Sequence, residues 1–208
     1  MRWLDRIRSG GAVPSEESET ADAPESRASE RASPGLGALF EGLRDDGGHS
    51  ILDLGEGSRR QLEMLTPYAG VVRFVGLVPG TDEGSRAGFD PEVLVAHPGH
   101  PYDVVLAWDV LDRLNPEERA SLVARIVDIT GPGARLYASV DASDGTTRQP
   151  VRSMLVSHDR IAREPVGDPE PAAPELLPAE VERLLRPFTV THAFSLRAGA
   201  REYVARKK

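Results

Sequence analysis

A few side chains in this sequence stand where they could do chemistry. Asp53 sits at the end of a short apolar run, Ser50-Ile51-Leu52-Asp53-Leu54, and the chain then turns through Gly55-Glu56-Gly57-Ser58 into a helical pattern. Burying a carboxylate at the end of an apolar strand is costly unless something there holds or needs it. The turn therefore marks a sheet edge of the kind where ligands collect in open α/β folds. His97 ends a second apolar segment, and its ring could act as a general base or line a pocket; its other reading is a loop histidine beside Pro98. Asp109 follows Ala107-Trp108 at the end of the run Val104-Val105-Leu106, where it either faces the pocket or caps the next turn. His158 lies in a stretch that also holds Arg148, Arg152, Arg160 and Arg163, which reads as a solvated basic face or as a receiver for an acidic substrate. The five histidines are scattered, with no recurring carboxylate–histidine spacing, so no metal site is expected.

The elements that position these residues follow from hydrophobic periodicity. Leu36, Leu39, Phe40 and Leu43 predict an amphipathic helix, ended by Asp45-Asp46-Gly47-Gly48. Strands are predicted over Ile51–Leu54, Val71–Val78, Val93–Ala96, Val104–Ala107 and Arg135–Val140, and a helix over Arg59–Tyr68. The Val104–Ala107 run is apolar without alternation, as in a strand covered on both faces. Asn115-Pro116-Glu117-Glu118 is a helix start, with an N-cap, a proline at the first position and acids in the first turn. Gly131-Pro132-Gly133 is expected to stop that helix, and Pro178–Leu185 to form another. Phe188–Leu196 and Glu202–Ala205 alternate and are joined by Arg197-Ala198-Gly199-Ala200-Arg201, which predicts a closing hairpin. The resulting fold class is a doubly wound α/β domain: a mostly parallel, seven-stranded sheet with a C-terminal antiparallel hairpin.

Composition narrows the function classes. The chain has 208 residues, no cysteine and a net charge of -8. Disulfides, thiolate metal sites and cysteine nucleophiles are excluded. The acidic balance argues against non-specific nucleic-acid binding, which needs a positive surface. No apolar run reaches a membrane span, and a cytoplasmic location is the expectation. Residues 1–34 are rich in Ser, Glu, Ala and Pro and are expected to be a disordered tail, leaving a domain over 35–208. Trp3, Leu4 and Ile7 can share one helical face, so the tail offers a place for a protein partner or reads as a frayed terminus.

From Leu36 to Arg206 the order of motifs resembles the class I S-adenosylmethionine-dependent methyltransferase family. Asp53, Gly55 and Gly57 match the acid and the first two glycines of its first motif; Tyr102–Leu114 is similar to its fourth-strand signature; Gly131-Pro132-Gly133 and the closing hairpin match two more. The resemblance implies S-adenosylmethionine as cofactor and methyl transfer to a small molecule. It implies a cofactor site at Asp53, Gly55, Glu56 and Gly57, with Ala107 and Trp108 lining the cofactor and the transfer site. Two departures accompany it. The acid that would accept the ribose hydroxyls falls at Val78, with Asp82 and Glu83 nearby as substitutes, and the third glycine is Arg59, whose bulk could block the site. The connection through Pro98-Gly99-His100-Pro101 also leaves little room for the helix that usually precedes the fourth strand. The alternative is a non-catalytic binding or scaffold protein of this fold with weakened or lost cofactor binding. A nicotinamide dehydrogenase is disfavoured, since Gly-x-Gly-x-x-Gly would need glycine at Arg60.

Overall fold

The computed structural model describes residues 28–77, 90–141, 147–172 and 175–208. The elements in chain order are β1 (Ser29–Ala32), α1 (Pro34–Glu41), β2 (His49–Asp53), α2 (Arg59–Leu65), β3 (Ala69–Phe74), β4 (Tyr102–Leu106), α3 (Pro116–Ile129), β5 (Thr130–Val140), β6 (Thr147–Arg148), β7 (Val151–Ser157), β8 (Arg160–Pro165), β9 (Glu170–Pro171), α4 (Pro178–Leu184), β10 (Phe188–Ser195) and β11 (Arg201–Lys207). The central sheet has the order β10-β11-β5-β4-β2-β3. Strands β3, β2, β4 and β5 run parallel, and β11 and β10 return antiparallel, so the closing hairpin forms as expected.

The sheet has six strands among the described residues, not seven. The expected third strand at Val93–Ala96 is replaced by one 3-10 turn, Pro91–Val93, started by the Asp90 side chain. Val93 and Val95 are 43% and 47% exposed. Among the described residues their apolar side chains have no layer to pack against that would hold them in a strand. The consequence reaches His97. It does not end a strand at the ligand edge; the chain passes along the amino end of β4, where the His97 ring stands 6.3 Å from Tyr102 and stacks on His100 at 4.4 Å.

Both faces of the sheet are covered. On one face Leu52, Val105, Leu136 and Ala138 pack against Leu122, Val123 and Ile126 of α3 and Val181 of α4. On the other, Ile51, Val104, Tyr137 and Val204 pack against Leu36 and Leu39 of α1, Leu65 of α2, and Leu155 and Ile161 of the β7–β8 hairpin. Each such buried Leu or Ile contributes about 1.5–3 kcal/mol. Helix α3 starts as the sequence predicts: Asn115 Oδ1 accepts from the backbone of Glu117 and Glu118 at 3.0 Å, and the Glu118 carboxylate closes a capping box. It ends at Ile129, but Gly131-Pro132-Gly133 lies inside β5, in the irregular stretch between the Tyr102–Thr130 and Val104–Arg135 pairs. Gly133 there has φ 79°, a conformation that suits glycine.

The expected tail is shorter at its inner end. Ser29–Ala32 pairs antiparallel with Arg160–Arg163, extending the β7–β8 hairpin into a three-stranded sheet. The segment is held by backbone pairing and by Arg31 rather than by apolar burial. Residues 1–27, with the Trp3, Leu4 and Ile7 face, lie outside the described residues, as do Val78, Asp82 and Glu83. None of the helices among the described residues is long and apolar enough to cross a membrane.

Candidate functional site

The carboxyl ends of β2 and β4 meet at Asp53 and Trp108. Asp53 is fully buried. Its Oδ1 accepts from the Gly55 backbone at 2.8 Å and from Trp108 Nε1 at 2.6 Å, and its Oδ2 accepts from the Gln61 side-chain amide. No cation reaches it among the described residues. Burial pushes its pKa up from 3.8 to about 6, against the lowering effect of those three hydrogen bonds. Gln61 is held in turn by α2, whose N-cap Ser58 accepts from the Gln61 backbone at 3.1 Å. Its second amide atom, Oε1, is buried without a partner.

Trp108 is the residue that locks the turn. Its φ of 39° lies in the left-handed region, uncommon for a side chain of this size and worth about 1–3 kcal/mol of strain. The conformation is over-determined by its neighbours. Its carbonyl accepts from Ser139 N at 2.8 Å, its indole packs edge-on against Tyr137 at 5.8 Å, and its N–H is spent on Asp53. A side chain on Gly55 would meet that indole at 2.9 Å, which is why only glycine fits there. Gly57 is required for a different reason: a Cβ there would meet the Phe74 ring at 2.8 Å.

The space over this turn is small. A cleft of about 20 Å³ is lined by Gly55, Glu56, Leu77, Trp108 and Asp109, and roofed by Val151–Ser153 at the start of β7. That is room for about one water molecule. The roof is fixed by two contacts. Arg113 Nη2 donates to the Val151 carbonyl at 2.7 Å, and Arg152 Nε lies 2.5 Å from the Glu56 carboxylate.

Beside the cleft is a buried ionic network that sequence reasoning missed. Asp109 Oδ2 accepts from Arg113 Nη2 at 3.0 Å and from Arg148 Nη2 at 3.1 Å; Asp112 lies 3.5 Å from Arg148 and accepts from the Asp141 backbone at 2.6 Å. Burial raises the Asp112 pKa to about 7, opposed chiefly by Arg148. Asp109 therefore borders the cleft, but it is committed to two guanidinium groups. The spacing Asp109-x-x-Asp112-Arg113 was the available signal, because one turn of helix brings those charges together; that Arg148 joins them depends on the tertiary fold.

The other expected residues are dispersed. Ala107 is buried in the core, its N–H donating to the Tyr137 carbonyl. His158 is at the β7–β8 turn, away from the cleft, 3.2 Å from the Tyr68 hydroxyl and 5.1 Å from the Phe40 ring. The four arginines do not form one receiving face, because each has a carboxylate of this chain: Arg148 has Asp109, Arg152 has Glu56, Arg160 has Glu30 and Arg163 has Asp141. Arg59 does not block the turn; its side chain is 92% exposed and pairs with Glu63. Among the described residues no group of three His, Asp or Glu side chains could hold a metal ion.

A mostly parallel sheet closed by an antiparallel hairpin, with an acid and a glycine turn at its ligand edge, is the class I S-adenosylmethionine-dependent methyltransferase fold, and comparison with solved structures agrees. The chain is similar to the 1,6-didemethyltoxoflavin-N1-methyltransferase of Burkholderia thailandensis, solved with 1,6-didemethyltoxoflavin and S-adenosylhomocysteine: TM-score 0.52, 22% identity, 84% of this chain and 77% of that one. It is similar to CalS10, an amino pentose methyltransferase from Micromonospora echinaspora solved with S-adenosylmethionine: TM-score 0.54, 14% identity, 84% and 91% of the two chains. It is also similar to an S-adenosylmethionine-dependent methyltransferase from Mesorhizobium loti: TM-score 0.53, 15% identity, 84% and 96%. No protein-family model and no curated protein sequence matches the chain.

The described residues leave little room for S-adenosylmethionine in this conformation; residues 78–89, which include the assigned ribose position, lie outside them. Ligand pockets run to about 300–1,000 Å³, whereas this cleft holds about 20 Å³. The indole of Trp108 fills the space beside Gly55, and Phe74 fills the space beside Gly57.

Proposed function

We propose that this protein is a methyltransferase that takes its methyl group from S-adenosylmethionine and passes it to a small molecule, and that its cofactor cleft opens to admit the donor. The observation that carries this reading is Asp53: a fully buried carboxylate that no cation reaches among the described residues, clamped beneath a glycine turn at the carboxyl edge of the parallel strands. Asp53, Gly55, Glu56 and Gly57 are the residues assigned to the donor's amino-acid end, and Trp108 to the wall beside it, with Ala107 buried in the core behind. Val78, at the assigned ribose position, supplies no acceptor, so the bound donor is held without the charge-assisted bonds an acid would give there. The small-molecule substrates named for the Burkholderia and Micromonospora proteins, and the acidic charge of this chain, support a small and non-nucleic acceptor.

Opening is inexpensive at one point. The Glu56 and Arg152 side chains are 34% and 38% exposed, and such pairs are worth about 0–1 kcal/mol. That pair by itself weakens apparent affinity by at most about fivefold; the Arg113–Val151 contact and the Trp108 indole must also give way. A second reading has its own observation: a cleft this small suits a non-catalytic scaffold whose pocket has closed for good.

Nuclear magnetic resonance separates the two. The chain has two tryptophans, Trp3 and Trp108, so its indole N–H signals are easily assigned. Titration with S-adenosylhomocysteine should move the Trp108 indole signal saturably while Trp3 stays in place. An unmoved Trp108 signal at millimolar ligand supports the scaffold reading.

A further inference from the structure

A groove lies away from the Asp53 turn, between α3 and α4. It holds about 440 Å³, within the size range of small-molecule sites. Ala120, Val123 and Ala124 of α3 and Leu176 and Leu184 give it an apolar floor, while Arg119, Glu180 and Arg183 add charge to its walls. Ala120 and Ala124 are exposed and one helical turn apart, and their small side chains leave the trough open.

Arg119 stands in the wall of this groove and is 6% exposed. Its Nε donates to the Leu111 carbonyl at 2.7 Å, while its Nη2 is buried without any acceptor. A guanidinium cannot shed its charge, so a donor left over in a buried place carries a desolvation cost. Two acids are close enough to act on it, Asp112 and Glu180, but neither pairs with it. Asp112 is taken by the Asp141 backbone and Arg148. Glu180 Oε2 caps α4 by accepting from Leu177 N at 3.0 Å.

We propose that this groove binds a small monocarboxylate with an apolar body, the carboxylate on Arg119 and the body along Ala120, Ala124 and Leu184. A carboxylate matches the planar donor set of a guanidinium. Glu180 is offset by Arg183, 4.0 Å away at the groove's edge, and Asp112 by Arg148, so the one unpaired guanidinium nitrogen suits a single carboxylate, and a phosphate lacks the apolar body that would lie along the trough. The site is separate from the Asp53 turn and stands whether or not that turn binds a methyl donor.

Octanoate is the probe, with octan-1-ol and inorganic phosphate as controls, titrated into the full chain and followed by calorimetry and amide chemical shifts. The expected result is saturable octanoate binding with shifts at Ala120, Ala124 and Leu184, and octanol and phosphate each weaker by roughly tenfold or more, the factor a charge-assisted bond supplies. Arg119→Met keeps the stem and should lose octanoate by a similar factor. Ala124→Trp changes an exposed position, leaves the core intact and should abolish binding by filling the trough, so the test stands even if the Arg119 variant fails to fold. Octanoate that does not saturate, that binds no better than octanol or phosphate, or that binds Ala124→Trp as tightly as wild type overturns the proposal.

Discussion

Two carboxylates on the same face of the sheet are fully buried and held in opposite ways. Glu202 on β11 has a cation. Its Oε1 accepts from Arg31 Nη1 at 2.9 Å and from the Tyr137 hydroxyl at 3.1 Å, and its Oε2 accepts from Gly35 N at 2.8 Å. These bonds tie β1 and the start of α1 to the sheet, and the close packing leaves no room for a Cβ on Gly35, which would meet Glu202 at 2.9 Å. Asp53 has only neutral donors: a backbone amide, an indole and a carboxamide. The difference separates architecture from function. A buried acid with its own counter-charge closes the fold, whereas one that no cation reaches among the described residues, at the carboxyl edge of the parallel strands, is a strained group kept in place by rigid neighbours.

The largest effect is expected at Glu202. Glu202→Ala leaves Arg31, Tyr137 and Gly35 without their acceptor, and losing one side of a buried charged pair costs about 3–5 kcal/mol. Denaturant unfolding should show that loss, and exchange protection of the Ser29–Ala32 amides should fall with it. A cost under 1 kcal/mol would show that the N-terminal strand is not anchored by this acid.

Asp53→Asn comes next, and its effect depends on pH. Because the Asp53 pKa is raised from 3.8 to about 6, the folded protein binds a proton there that the unfolded chain releases. That contribution is fully present below pH 4 and is lost as pH rises through about 6, amounting to about 3 kcal/mol at most. Asparagine cannot titrate. The variant should therefore cost more stability at pH 4 than at pH 7, on top of about 1–3 kcal/mol for its mispaired amide facing Gln61. A pH-independent difference would contradict a cation-free Asp53.

Trp108→Phe keeps an aromatic ring near Tyr137 but removes the indole N–H from Asp53 and part of the buried ring volume. It should cost about 1–2 kcal/mol and raise the Asp53 pKa further, read from the carboxyl carbon shift across pH 4–8. An unchanged titration would place the indole bond among the contacts that contribute nothing.

Much of this contrast could be read in the residue pattern, and some could not. The apolar runs at Ile51 and Val104, the Asn115 cap and the closing alternation are local signals, and each became the expected element. Asp53 and its turn were visible for the same reason: an acid between a strand and a helix stands out along the chain. Val93–Ala96 was misread because an apolar run does not say whether a facing layer exists. Ser29–Ala32 was read as tail because an edge strand paired through its backbone needs no hydrophobic pattern. The pairing of Glu202, Arg148 and Arg152 gave no local signal, since their partners Arg31, Asp109 and Glu56 lie far off in the chain. Closure of the cleft was hidden with them.

The central claim is that the Asp53 turn is a methyl-donor site held shut at Glu56 and Arg152. Arg152→Ala removes two partly exposed pairs, with Glu56 and with Glu164, so stability should change by no more than about 1–2 kcal/mol. The decisive measurement is the calorimetric affinity of S-adenosylhomocysteine for this variant beside the wild type. Weak binding by the wild type and binding several-fold tighter by Arg152→Ala is the predicted result. No binding by either protein would contradict the claim and leave a scaffold with a permanently closed pocket.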